Sequence, residues 1–224
     1  MIELRSVSFS YDGRRLALDR VSLRLEDGIT AIVGPNGSGK TTLLKVAATL
    51  LRPTAGDIYV EGRNFWLSDR GERARLRRLV VYLHENPVIL RGTVQDNVAY
   101  GLRLRGLPES EVLERARRAM EELRILDLAH ESARSLSAGQ RQLVALARAI
   151  AVEPRYLLLD EPTANLDREN RRLLAGILKR LSNKGMVIVL ATHDRLLAAE
   201  VSDRAVVIEG GAILAVGDPS KVVK

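Results

Sequence analysis

Residues 29–44 read ITAIVGPNGSGKTTLL. Ile29 to Val33 is a short apolar run, the mark of a strand buried on both faces of a parallel sheet. Gly34-Pro35-Asn36-Gly37-Ser38-Gly39-Lys40-Thr41 then matches the pattern G-x-x-x-x-G-K-[ST]. A helical segment follows from Thr41 to about Leu51, where Pro53 stops it. Each residue type has a physical reason. The glycines let the backbone curl so that successive N–H groups face one oxyanion. The helix N-terminus adds its partial positive charge. Lys40 offers a point charge to the β- and γ-phosphates of a nucleotide, the Thr41 hydroxyl suits Mg²⁺, and Thr42 can bond a further phosphate oxygen.

Outward from this loop, strand and helix patterns alternate. Upstream, 2–10 and 20–25 alternate apolar and polar residues around Asp12-Gly13, which predicts antiparallel strands joined by a hairpin. Downstream, strands are expected near 57–60, 79–83, 157–159, 186–191, 204–209 and 212–216. Helices are expected within 93–135, where Gly106 ends one and Pro108 with Glu109 and Glu111 opens another, and over 137–152 and 168–181. The pattern predicts an α/β domain with a parallel sheet. The block from about 84 to 136 interrupts it as an inserted helical subdomain.

Tyr156-Leu157-Leu158-Leu159-Asp160-Glu161 is an apolar strand ending in two carboxylates. Open α/β sheets bind ligands at the C-terminal ends of their strands, so both carboxylates belong beside the phosphate loop. Asp160 is placed to hold Mg²⁺ directly or through water, and Glu161 to orient or deprotonate an attacking water.

Three further segments carry a family resemblance. Leu136-Ser137-Ala138-Gly139-Gln140-Arg141-Gln142 is similar to the LSGGQ signature of the ATP-binding cassette (ABC) ATPases. Asp160-Glu161-Pro162-Thr163 followed by Ala164-Asn165-Leu166-Asp167 resembles the D-loop of that family, and Ala191-Thr192-His193-Asp194 its switch-histidine segment. Tyr11 matches the aromatic that stacks on adenine there, although it could equally be an ordinary strand aromatic. The resemblance covers almost the whole chain. It implies a P-loop NTPase with a RecA-like core, an N-terminal antiparallel β-subdomain and an inserted helical subdomain. As one ABC ATPase domain over 1–224, the core would take 1–83 and 137–224 and the helical subdomain 84–136. It also implies ATP and Mg²⁺ as ligands, a γ-phosphate and water contact for His193, and a head-to-tail dimer. In that dimer Ser137, Ala138, Gly139, Gln140 and Asp167 of one copy complete the ATP site of the other. On its own, Ser137 before two small residues reads as a helix N-cap with open N–H groups, an anion site.

Two positions depart from the family pattern. The first glycine of the signature is Ala138, still small enough for a phosphate to approach the helix start. At the Q-loop the chain reads Val81-Tyr82-Leu83-His84-Glu85-Asn86-Pro87. Alignment on Pro87 puts Glu85 where the family carries Gln, and a shift of one residue puts His84 there. A carboxylate still offers oxygen to Mg²⁺ but adds negative charge beside a triphosphate.

Composition narrows the class. The chain has 224 residues, 46% of them hydrophobic, and no Cys. That excludes disulfides and thiolate chemistry, fits a cytoplasmic location, and argues against a structural zinc site. No apolar run approaches the ~18 residues of a membrane span, and the N-terminus has no signal-peptide core. The resemblance then implies a separate membrane permease, as in importers, with the chain on the cytoplasmic face and an extracytoplasmic substrate-binding protein in the same system. The stretch Gly92-Thr93-Val94 through Asn97-Val98-Ala99-Tyr100-Gly101-Leu102-Arg103 resembles importers of inorganic oxyanions such as tungstate, molybdate or phosphate, and with the segment Tyr82-Leu83-His84 the resemblance points to tungstate. Soluble ABC ATPases of DNA repair or translation are the alternative. The former split the domain with a long coiled coil and the latter carry two cassettes, and neither feature is present. Lys plus Arg is 35 against 28 Asp plus Glu, a net charge of +7. Residues 70–78, RGERARLRR, hold five Arg and one Glu, so +4 of that lies in nine residues. The tract is either a solvated helix face or a surface for the membrane partner or anionic headgroups. No nucleic-acid partner is expected.

Overall fold

The computed structural model describes residues 1–222. Unit 1 comprises 1–82, 155–161 and 178–222, and unit 2 comprises 83–154 and 162–177.

Unit 1 is built on two sheets. The antiparallel sheet contains β1 (Ile2–Ser10), β2 (Leu16–Leu25), β4 (Ala55–Val60) and β5 (Arg63–Asn64) in the order β2-β1-β4-β5. The larger sheet has the order β10-β9-β3-β8-β7-β6. Its members are β3 (Ile29–Val33), β6 (Val80–Leu83), β7 (Tyr156–Asp160), β8 (Val187–Thr192), β9 (Arg204–Glu209) and β10 (Ala212–Gly217). β3 pairs in parallel with both β8 and β9, and β8 in parallel with β7. The three central strands are buried at every residue, which explains their largely apolar sequences. A single hydrophobic core joins the sheets. Ile2, Leu4, Leu18 and Ile58 of the antiparallel sheet meet Ile32, Leu158, Val189 and Ile208 of the other, with Leu43, Leu44 and Val46 of α1 (Lys40–Ala47) among them.

α1 is shorter than its sequence predicts. The chain turns left-handed at Thr49 (φ 59°), and the Leu50 N–H donates to the Lys45 carbonyl at 2.9 Å. That bond caps the helix four residues before the expected end. The basic tract forms a helix, α2 (Arg70–Arg77), that hydrophobic periodicity alone does not reveal because Leu76 is its single apolar anchor. Asp69 caps it by accepting from the Glu72 N–H at 2.9 Å. Arg75 pairs with Glu72, while Arg77 reaches the Thr49 carbonyl and lies 5.2 Å from the Phe65 ring centre. Part of the tract therefore serves the fold itself. α7 (Arg195–Val201), also unexpected from sequence, starts at Asp194, whose side chain accepts from the Leu197 N–H. α8 (Pro219–Val222) follows β10.

Unit 2 is helical. α3 (Val94–Leu104), α4 (Glu109–Glu122) and α5 (Ala138–Ala151) pack against one another through Val98, Leu102, Ala116, Met120, Val144 and Ala147, all buried. Pro108 opens α4 as its sequence predicts. A capping box starts α3, and the Thr93 N–H beside Asp96 holds that carboxyl below its ordinary range. The expected boundary at 136 assigns α5 to the core, but in the structure α5 is compact with α3 and α4. Its apolar face is buried on those helices, so packing and not motif order sets the unit. The segment 162–177, containing the start of α6 (Arg168–Asn183), belongs to the same unit.

Leu44 is fully buried in α1 behind the phosphate loop. Leu44→Ala is expected to destabilise the protein by about 2–5 kcal/mol, read as a fall in the urea midpoint of unit 1 followed by circular dichroism.

Candidate active site

In unit 1, β3 ends at Val33 and the chain turns through 34–39 into α1, as the motif demands. Two glycines are required by packing. A Cβ on Gly34 would sit 2.1 Å from the Ile208 carbonyl oxygen, and one on Gly39 (φ 106°) 2.6 Å from the Ala17 carbonyl oxygen. The loop backbone is thus pressed against two neighbouring strands, which holds Pro35, Asn36, Gly37 and Ser38 in a tight curl. The Lys40 ammonium lies inside the curl, 7% exposed, and donates to the carbonyls of Gly34 (2.8 Å) and Pro35 (3.1 Å). Ser38 Oγ is buried with no protein partner. A buried hydroxyl left open beside an ammonium fits a phosphate oxygen.

Asp160, at the end of β7, is 2% exposed. Its Oδ1 accepts from Thr41 Oγ1 at 3.1 Å, so the expected meeting of phosphate loop and acidic strand end is present. A hydroxyl and a carboxylate oxygen this close form a hard-oxygen pair that suits Mg²⁺ completed by phosphate oxygens and water. The other oxygen, Oδ2, accepts from the Tyr82 hydroxyl at 2.9 Å. Tyr82 has no site role in the sequence, where it belongs only to the Tyr82-Leu83-His84 segment that resembles the oxyanion importers. The available signal was its place near the end of a strand candidate leading into the Q-loop.

Glu161 is 9% exposed and adopts a left-handed backbone (φ 45°). Three donors hold its carboxylate. Thr192 Oγ1 donates to Oε2 at 3.1 Å, the His193 N–H donates to Oε1 at 3.0 Å, and His193 Nδ1 lies 2.9 Å from Oε1. The imidazole is otherwise open, its side chain 67% exposed. Glu161 and His193 therefore form one hydrogen-bonded unit at the ends of β7 and β8, an arrangement chemically suited to orienting a water or proton. Tyr11 lies in the turn after β1, with its ring edge-on to Phe9 and its hydroxyl 3.3 Å from Thr42 Oγ1. The residue is 64% exposed, so a ring face is open to a planar group.

The remaining predicted residues lie in unit 2. Ser137 caps α5 as read from sequence: its Oγ accepts from the Gln140 N–H at 3.2 Å, and its own N–H donates to Gln140 Oε1 at 2.8 Å. Ala138 is the first residue of the helix. A Cβ on Gly139 would approach the Asn165 carbonyl oxygen to 2.9 Å, so the backbones of the signature and the D-loop touch here. Gln142, 2% exposed, strengthens that contact by donating to the Pro162 carbonyl at 3.3 Å. Both Asp167 oxygens accept from Asn170 at the start of α6, a helix-capping role. Glu85 is exposed, and His84 Nδ1 accepts from the Asn86 N–H at 3.0 Å.

Comparison with known proteins agrees with these features. The profile of the ABC transporter family matches residues 18–164. An ABC transporter ATP-binding protein of Pyrococcus furiosus is 39% identical over 97% of this chain and 84% of its own length. A Haloferax volcanii protein named probable anion import ATP-binding protein is 38% identical over 94% of this chain and 78% of its own. Among solved structures, the dimeric structure of a bacterial ABC transporter cassette superposes with a TM-score of 0.90 at 29% identity, covering 98% of this chain and 99% of that one. The same cassette in a post-hydrolysis state bound to ADP and Pi gives 0.89 at 27% identity with the same coverage. With the P-loop NTPase fold, the chain belongs to the ABC transporter ATP-binding proteins and is an ATPase that binds ATP with Mg²⁺.

Proposed function

We propose that the chain drives import through a separate membrane permease, with two copies closing on two ATP molecules, and that its cargo is an inorganic oxyanion of the tungstate type. The observation that carries the catalytic part is the Glu161–His193 pair at the sheet end that also bears Asp160. In this reading the curl of 34–39, Lys40 and Thr42 bind the triphosphate, and Tyr11 stacks on the adenine. Thr41 and Asp160 hold Mg²⁺, with Glu85 supplying a further oxygen from the Q-loop position. Bound there, Mg²⁺ neutralises charge on the phosphates. Glu161 orients the attacking water and takes its proton, and His193 positions both that carboxylate and the γ-phosphate.

The N–H groups of Ala138 and Gly139 at the start of α5, framed by the Ser137–Gln140 capping box, form the anion site that one copy offers to the ATP of the other, with Ser137 and Gln140 lining it and Asp167 steering the D-loop into the same interface. The dimeric cassette described above supports that arrangement by its likeness over the whole chain. No helix among the described residues is long and apolar enough to cross a membrane, and in this reading a separate permease forms the path for the cargo. An extracytoplasmic binding protein would deliver the cargo, and the chain would work at the cytoplasmic face. The relatives carry transporter names, which favours this reading over DNA repair or translation. The name of the Haloferax volcanii protein supports an anion as cargo.

Glu161→Gln is expected to keep ATP binding, to lower turnover at least about 100-fold, and to sediment as a dimer at saturating Mg-ATP. A monomer under those conditions removes the two-copy arrangement. Glu85→Ala is expected to raise the Mg²⁺ concentration needed for half-maximal turnover. An unchanged midpoint takes Glu85 out of the metal set.

A further inference from the structure

We infer that Tyr82 is a positioning residue for the metal-holding carboxylate, and that its hydroxyl sets how strongly Mg²⁺ tightens nucleotide binding. The inference rests on the reading of Asp160 as a Mg²⁺ holder. Asp160 has two carboxylate oxygens and receives one protein donor on each, Thr41 Oγ1 on Oδ1 and the Tyr82 hydroxyl on Oδ2. The two donors are not equivalent. Thr41 belongs to the phosphate-loop helix, and its oxygen is needed as a ligand in the same small space as Oδ1. Tyr82 comes from the strand next to β7 in the sheet and approaches the opposite oxygen. It can therefore keep its bond while Thr41 and Oδ1 turn to a cation.

The value of such a bond is orientational. The terminal torsion of an aspartate is soft and roughly two-fold, so an unanchored carboxylate rotates. A phenol donating to an ionised oxygen makes a charge-assisted hydrogen bond that fixes the plane and presents the other oxygen in one direction. Outer partners of metal-holding carboxylates commonly control affinity in this way. The phenol is itself fixed, because Tyr82 is half-buried with its side chain packed on the core between the sheets. Tyr82 is also the last residue of unit 1 before the chain passes into unit 2, three residues ahead of Glu85. A single hydroxyl thus ties the carboxylate to the strand that leads into the Q-loop.

The test compares the affinity of a slowly hydrolysed, fluorescent ATP analogue for the full chain with and without Mg²⁺. Tyr82→Phe keeps the ring and its packing and removes one oxygen. The expected result is a Mg²⁺-free affinity within twofold of the unsubstituted chain and a Mg²⁺-linked tightening reduced about tenfold. Thermal melting of both proteins in the same buffer checks that the fold is retained. Asp160→Asn is expected to abolish most of the tightening, and adding Tyr82→Phe to it is expected to cost nothing more, because the hydroxyl acts through that carboxylate. If Asp160→Asn loses the tightening and Tyr82→Phe keeps it, the role of Tyr82 is overturned and the metal reading stands. If neither changes it, the metal reading itself fails. A Tyr82→Phe protein that loses Mg²⁺-free affinity to the same degree, or melts markedly lower, assigns Tyr82 to general packing and overturns the inference.

Discussion

A buried carboxylate must find donors, and Asp160 draws its two from different parts of unit 1. The Thr41 hydroxyl can reach Oδ1 only because the phosphate loop ends where it does. That end is fixed by Gly34 and Gly39, whose missing side chains let the backbone press against Ile208 and Ala17. Ile208 is on β9 and Ala17 on β2, so both sheets help to seat one loop. The Tyr82 hydroxyl can reach Oδ2 because β6 lies next to β7. Sheet order, loop curl and carboxylate orientation are therefore one arrangement. The parallel register of β7 with β8 adds the second half, bringing Thr192 and His193 onto the Glu161 carboxylate.

Much of this is legible in the residues themselves. β3, β7 and β8 are buried on both faces, and a strand with no polar side produces a largely apolar run that is easy to read. Pro108 and Ser137 announce helix starts through local chemistry that needs no tertiary context. The harder elements are those whose stability comes from elsewhere. α2 is eight residues long with one buried side chain, so its formation rests on the Asp69 cap and on Arg77 reaching Thr49 and Phe65. α7 is seven residues long and depends on the cap at Asp194. The end of α1 is set by a left-handed threonine, a residue that does not advertise that conformation. The grouping of α5 with α3 and α4 is a packing outcome that motif order cannot reveal. The bond of Tyr82 to Asp160 is hidden in the sequence for a similar reason, since its partner is 78 residues away.

The departure at the signature gains a structural meaning. Ala138 begins α5, where the helix start asks only for a small side chain. Gly139 is different, because the Asn165 carbonyl leaves no space for a Cβ. The two glycine positions of the family pattern are thus unequal in this chain. The first tolerates a methyl group and the second is locked by the neighbouring D-loop backbone, which Gln142 holds through Pro162.

Glu161 carries a further consequence through its backbone. A left-handed conformation costs a residue with a Cβ about 1 kcal/mol and costs glycine almost nothing. A sequence chosen for stability alone would place glycine at 161, and this chain instead spends stability to keep a carboxylate there. The side chain beyond the Cα is retained against the preference of the backbone that holds it. Position 161 is therefore one where the durability of the fold and the work of the protein pull in opposite directions.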